Sequence, residues 1–223
     1  MDIRLLVCTA TLALSAPFAA SAAILDAFDV EQAAGDDPIQ GGVVQNTSQE
    51  TAGPAGDRIF TVSDNSGNTT LLGTLLESGP NTLPTSSTLT FNNNTGVQGT
   101  ASIEWLVGIT GVNLTGTAAL TLDVLSIDVG SVDLDLLIGT AGGDLALGTK
   151  TVNAGETGTL SWMLGNSDIS SVNSILLTFN ANTPDVDAVF DTFATTPVPL
   201  PAAGWMLIAG IGGIAAMKRR KKS

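Results

Sequence analysis

Apolar side chains recur at every second position through most of this chain, and no long stretch before residue 202 holds a helical period. A period of two places successive side chains on opposite faces of a strand. Val97, Ala101, Ile103, Trp105, Val107 and Ile109 fall on one face, with Gln98, Thr100, Ser102 and Glu104 on the other. Val132, Leu134, Leu136 and Ile138 alternate with Asp133 and Asp135. Leu160, Trp162 and Leu164, then Ile175, Leu177 and Phe179, repeat the pattern. Leu120, Leu122 and Val124 share a phase that slips by one to Leu125, Ile127 and Val129, which requires a bulge to keep one face inward. Breaks such as Asn92-Asn93-Asn94-Thr95-Gly96, Ala141-Gly142-Gly143-Asp144 and Asn153-Ala154-Gly155 separate the runs. Many short strands between frequent turns predict an all-β fold, an antiparallel β-sandwich or jelly roll. A short helix is expected around residues 68–77. Residues 24–57 are less patterned and read as an irregular edge or an opening strand.

The two ends follow other rules. Arg4 begins a basic region, Leu5 to Leu14 is apolar, and Ala20-Ser21-Ala22 offers small residues for cleavage, so residues 1–22 read as a secretory signal peptide. Ala202 to Met217 is uncharged, and as a helix it would reach about 24 Å, near the ~30 Å hydrocarbon core of a bilayer. Lys218, Arg219, Arg220, Lys221 and Lys222 follow it and mark a cytoplasmic end, with Trp205 at the opposite interface. The chain therefore divides into the signal peptide, an exported domain over 23–193, and a linker plus sorting signal over 194–223. That last part holds a single transmembrane helix at 202–217 and a basic tail at 218–223.

Pro197, Pro199 and Pro201 alternate just before the apolar stretch and hold the chain extended. Val198, Pro199, Leu200, Pro201 and Ala202, with the tail behind them, resemble the VPLPA variant of the PEP-CTERM sorting signal. The resemblance covers residues 197–223 alone. It implies a Gram-negative host, often one making exopolysaccharide, and processing by an exosortase-type enzyme at the inner membrane. Leu200-Pro201-Ala202-Ala203-Gly204 is also similar to the sortase motif Leu-Pro-x-Thr-Gly, but Ala203 stands where that motif has threonine.

Charge and composition narrow the chemistry. The exported domain carries twenty acids against two bases, Arg58 and Lys150, a formal charge of −18. Such a field repels nucleic acid and attracts cations. The domain has no Cys, His or Tyr, the one cysteine being Cys8 in the signal peptide. No Ser-His-Asp or Cys-His arrangement can be built, nor a zinc site of His and Cys.

What remains are carboxylates and oxygens. Asp133 and Asp135 share a strand face about 6–7 Å apart, a spacing that glycosidases use but that twenty acids meet by chance. Glu104 and Trp105 point to opposite faces. Asp64, Asn65 and Asn68 gather oxygens around Gly67 and form the candidate calcium site; no other cofactor is expected. Trp105 and Trp162 sit in core phase.

The expected protein is a non-enzymatic, exported cell-surface or matrix protein, structural or adhesive in an exopolysaccharide layer. A carbohydrate-binding module is the first alternative and requires Trp105 or Trp162 at the surface. A carboxylate-dependent hydrolase is the second and requires a cleft holding an acid of raised pKa.

Overall fold

The computed structural model describes residues 22–35, 44–45, 49–50, 56–64, 73–80, 87–106, 113–165, 169 and 171–197. Fourteen strands form two seven-stranded sheets with every pairing antiparallel. The first sheet runs β12 (Gly158–Met163), β9 (Thr117–Ile127), β14 (Asp187–Pro197), β7 (Ser87–Asn93), β6 (Thr74–Pro80), β2 (Gln32–Gly35), and β1 (Ile24–Asp26) pairs with the distal half of β14. The second runs β11 (Gly143–Asn153), β10 (Ser131–Thr140), β13 (Val172–Ala181), β8 (Gly99–Leu106), β5 (Asp57–Asp64), β3 (Val44–Gln45), and β4 (Gln49–Glu50) pairs with the start of β5.

The period-two residues build the layer between the sheets. Val132, Leu134, Leu136 and Ile138 point inward from β10, with Ile175, Leu177 and Phe179 from β13 and Ala101, Ile103 and Trp105 from β8, all buried. Phe179 of the second sheet meets Phe91 and Phe190 of the first, at ring centroid distances of 5.8 and 5.2 Å. Trp105 stacks on Phe193 at 4.8 Å, within the range of aromatic pairs that add to plain burial. Trp162 is also fully buried, and its indole nitrogen donates to the Gly148 carbonyl at 3.0 Å.

Three readings need adjustment. Residues 74–77 lie in β6, so the expected helix over 68–77 is absent there, and residues 68–72 lie outside the described ones. Thr74, Leu76 and Ser78 turn inward in strict alternation, a period in which two of three inward residues are polar and so escape an apolar count. The β9 slip exists, but it leaves Leu125 and Val129 exposed (43% and 46%), while Val124 and Ile127 stay buried. β14 continues through residues 194–197, which the sequence assigns to a linker. The expected signal peptide, apart from Ala22, and the expected membrane helix lie outside the described residues. No helix among the described residues is long and apolar enough to cross a bilayer.

A buried polar cluster ties the opening segment into both sheets. Arg58 of β5, one of the domain's two bases, is fully buried. Its Nη1 donates to both oxygens of Asp26 on β1 (3.0 and 2.8 Å), and its Nε to Gln32 Oε1 on β2 (2.8 Å). Its Nη2 donates to the Val30 carbonyl and to Ser78 Oγ on β6. Trp105 Nε1 completes the Asp26 carboxylate from the second sheet at 2.8 Å. Phe28 and Phe60 rings flank the guanidinium at 5.7 and 5.0 Å. A buried charge pair is tolerable only when its remaining donors and acceptors are met, and here every guanidinium nitrogen has a partner.

Candidate functional site

Cross-strand register writes rows of side chains on the outer face of the first sheet. Across β2, β6, β7 and β14 one row reads Ala33, Glu77, Thr90, Val189, and the next reads Gly35, Leu75, Asn92, Asp187. A further row holds Glu31, Gly79 and Thr88: Gly79 pairs with Thr88, and Glu31 lies over Gly79. The glycines and Ala33 make this face concave. At Gly79 (φ +148°) an added Cβ would lie 3.3 Å from Glu31 Cα, so Glu31 rests where a side chain would otherwise stand.

Two hollows result, of about 430 and 410 Å³, meeting at Asn92. The first is edged by Glu31 and Glu77 and lined by Gly79, Thr88, Thr90 and Asn92. Thr88 is 6% exposed. The second is lined by Gly35, Thr74, Leu75, Asn93, Asn94 and Asp187, among others. Its wall is fixed by the buried Asn93 side chain, which accepts from Thr74 Oγ1 (2.8 Å) and the Gly99 amide (3.0 Å) and donates to the Val186 carbonyl (3.1 Å). Among the described residues no aromatic ring lines either hollow.

Asp187 is the carboxyl in the second hollow. Partial burial pushes its pKa up, and the neighbouring Asp128 and Asp185 charges add to the rise, against a hydrogen bond from the Asn93 amide that lowers it. A raised folded-state pKa means a destabilising charge above it, relieved as pH falls. Asp187→Asn keeps an acceptor for the Asn93 amide and removes that charge. The variant is expected to melt about 1–2 °C above the parent at pH 7. The gain should vanish below about pH 4, in paired thermal melts across that range; equal melting points at pH 7 would refute the repulsion.

On the outer face of the second sheet the β10 carboxylates are met by hydrogen bonds from neighbouring strands. Asp133 and Asp135 point outward together from β10 and accept from Thr151 and Thr149 of β11, while Asn180 donates to Asp135 at 3.2 Å. Glu104 faces outward while Trp105 is buried beneath it.

Of the candidates read from sequence, Asp64 ends β5 opposite Gly99, while Asn65 and Asn68 lie outside the described residues. Val198 to Ala202 and Lys218 to Lys222 also lie outside them. Among the described residues no three acidic side chains converge on a point that could hold a metal ion. Glu31, Glu77 and Thr88 are absent from the sequence-level candidates, because only the register of three strands brings them together.

No protein-family profile and no curated protein matches the chain. Among solved structures it is similar to a family 11 carbohydrate-binding module from Clostridium thermocellum in complex with a β-1,3-1,4-mixed-linked tetrasaccharide. That match has 10% identity and a TM-score of 0.41, covering 81% of this chain and 98% of the module. It is also similar to a non-crystalline-cellulose-specific module, CBM28 (11% identity, TM-score 0.39, 54% and 79%). A third match is an exo-β-agarase (11%, TM-score 0.44, 80% of this chain). This chain spans 25% of that agarase and 23% of the PfGH50B chain, which it also matches.

Proposed function

We propose that this chain is an exported, non-catalytic polysaccharide-contacting protein, brought to the inner membrane by its C-terminal signal and destined for the cell surface or matrix. The observation that carries the reading is the concave outer face of the first sheet. Two adjoining polar hollows there present carboxylates, amides and hydroxyls, the groups that bond sugar hydroxyls. The tryptophans that a ring-stacking platform would need, Trp105 and Trp162, are both fully buried. Contact with a glycan therefore runs through hydrogen bonds, and adhesion to a surrounding polymer is its outcome.

The tail resembling the VPLPA variant supports membrane delivery and an exosortase-type partner.

The test uses protein recovered from its native host. Retarded migration in gels containing the host's own exopolysaccharide is the expected result, lost on adding free oligosaccharide. Unchanged migration sinks the binding role. Mass spectrometry of the same material is expected to find chains ending within residues 198–202; a membrane-bound form keeping Lys218 to Ser223 argues for a permanent anchor.

A further inference from the structure

Of the strands that end the two sheets, β12, β2 and β3 have six, four and two residues, while β11 has eleven. The free edge of a strand offers unpaired backbone groups to any other strand, and shortness is one protection against that. β11 lacks it.

Its register holds a different device. Ala146 pairs with Leu137 and Thr149 with Asp135, so Leu147 and Gly148 together oppose Leu136. This is a bulge, and Gly148 takes the left-handed conformation within it, at φ +85°. The Gly148 carbonyl accepts from Trp162 Nε1 of β12, in the other sheet, at 3.0 Å, which fixes the bulge from within.

The extra residue resets the alternation. Leu145 and Leu147 face inward before it; Lys150 and Val152 face inward after it, opposite the buried Leu134 and Val132. An unbulged strand would turn Thr149 and Thr151 inward and Lys150 outward. Those threonines instead donate to Asp135 and Asp133 on the outer face. Lys150 is half-buried between them. Among the described residues the one salt bridge joins Arg58 to Asp26, so the Lys150 ammonium has no carboxylate partner and is met by solvent at the open edge.

We infer that Lys150, turned inward by the Gly148 bulge, keeps β11 from pairing with the same strand of a second copy of this chain. β11 is antiparallel to β10, and two copies related by a two-fold axis would continue that pattern. The added strand would extend the sheet over the ammonium and strip its water, with no counter-charge in exchange. An uncharged side chain of similar length would instead join Leu145, Leu147 and Val152 in one apolar row.

The experiment is sedimentation of the full chain in detergent over a range of concentrations, at ~0.5 M salt to screen the charge of the acidic domain. Lys150→Met is expected to self-associate at least about tenfold more tightly than the parent, the scale of one buried polar group left unmet. The sign separates this from bulk repulsion. Removing Lys150 makes the domain more negative, and repulsion alone predicts weaker association. Hydrogen exchange on the associated variant should show new protection over residues 143–153. Lys150→Arg, which keeps the charge, should behave as the parent. A Lys150→Met protein no more associated than the parent, or associated without added protection in β11, would overturn the inference. Equal association by the arginine variant would do the same, since any change at the position would then suffice.

Discussion

Arg58→Met is expected to lower the unfolding free energy of the domain by about 3–5 kcal/mol, because it strands Asp26 as a buried carboxylate without its counter-charge. For a domain of this size that is a fall in melting temperature of about 6–20 °C. More than a charge is lost. Gln32 Oε1, the Val30 carbonyl and Ser78 Oγ each accept from the guanidinium, and Gln32 and Ser78 are buried. The double change Asp26→Asn with Arg58→Met should lose less than the single one. Its asparagine oxygen can still accept from one of the two donors, the Phe28 amide on Oδ1 and Trp105 Nε1 on Oδ2, that now bond the carboxylate at 2.8 Å each, and no buried charge is left behind. Urea titrations of the three proteins settle the point. A shift under about 0.5 kcal/mol for Arg58→Met, the range of ordinary surface changes, would mean the cluster does not hold the opening segment.

Phe179→Ala carries the second large effect. Its ring stacks near Phe91 and Phe190 of the first sheet, at 5.8 and 5.2 Å. Truncation leaves a cavity between layers whose backbones are fixed by β-ladders on either side, so collapse is limited. The expected loss is about 3–5 kcal/mol. Phe179→Leu, which retains much of the volume, should lose distinctly less. Equal loss in the two, measured by the same titrations, would point to ring-specific contacts in place of cavity formation.

The inward faces of β8, β10 and β13 were legible because nearly every inward position is a large apolar residue and the period is unbroken. Trp105 and Trp162 were assigned to the core on that phase, and both are fully buried. β6 carries little apolar signal, because of its inward residues Thr74, Leu76 and Ser78 only Leu76 is apolar, while Leu75 lines the second hollow. Arg58 shares its phase with Phe60 and Val62. That alignment was a readable sign of a buried cation, and counting charges alone passed over it. The hollow over Gly79 had no such sign. It depends on the register of β2 on β6 and of β6 on β7, segments joined by residues 36–73 and 81–86. No local pattern specifies which residue faces which across those joins.

The position of β14 has a mechanical meaning. This strand ends at Pro197, next in sequence to the proposed processing segment at 198–202, and it is hydrogen-bonded along both edges: to β9 on one, to β7 and then β1 on the other. Tension arriving at its end would pull along the strand axis. Three ladders would have to slide at once, where a strand peeled from an edge gives way one bond at a time. A mature chain loaded through its processed C-terminal end would draw on the first sheet at this doubly paired strand.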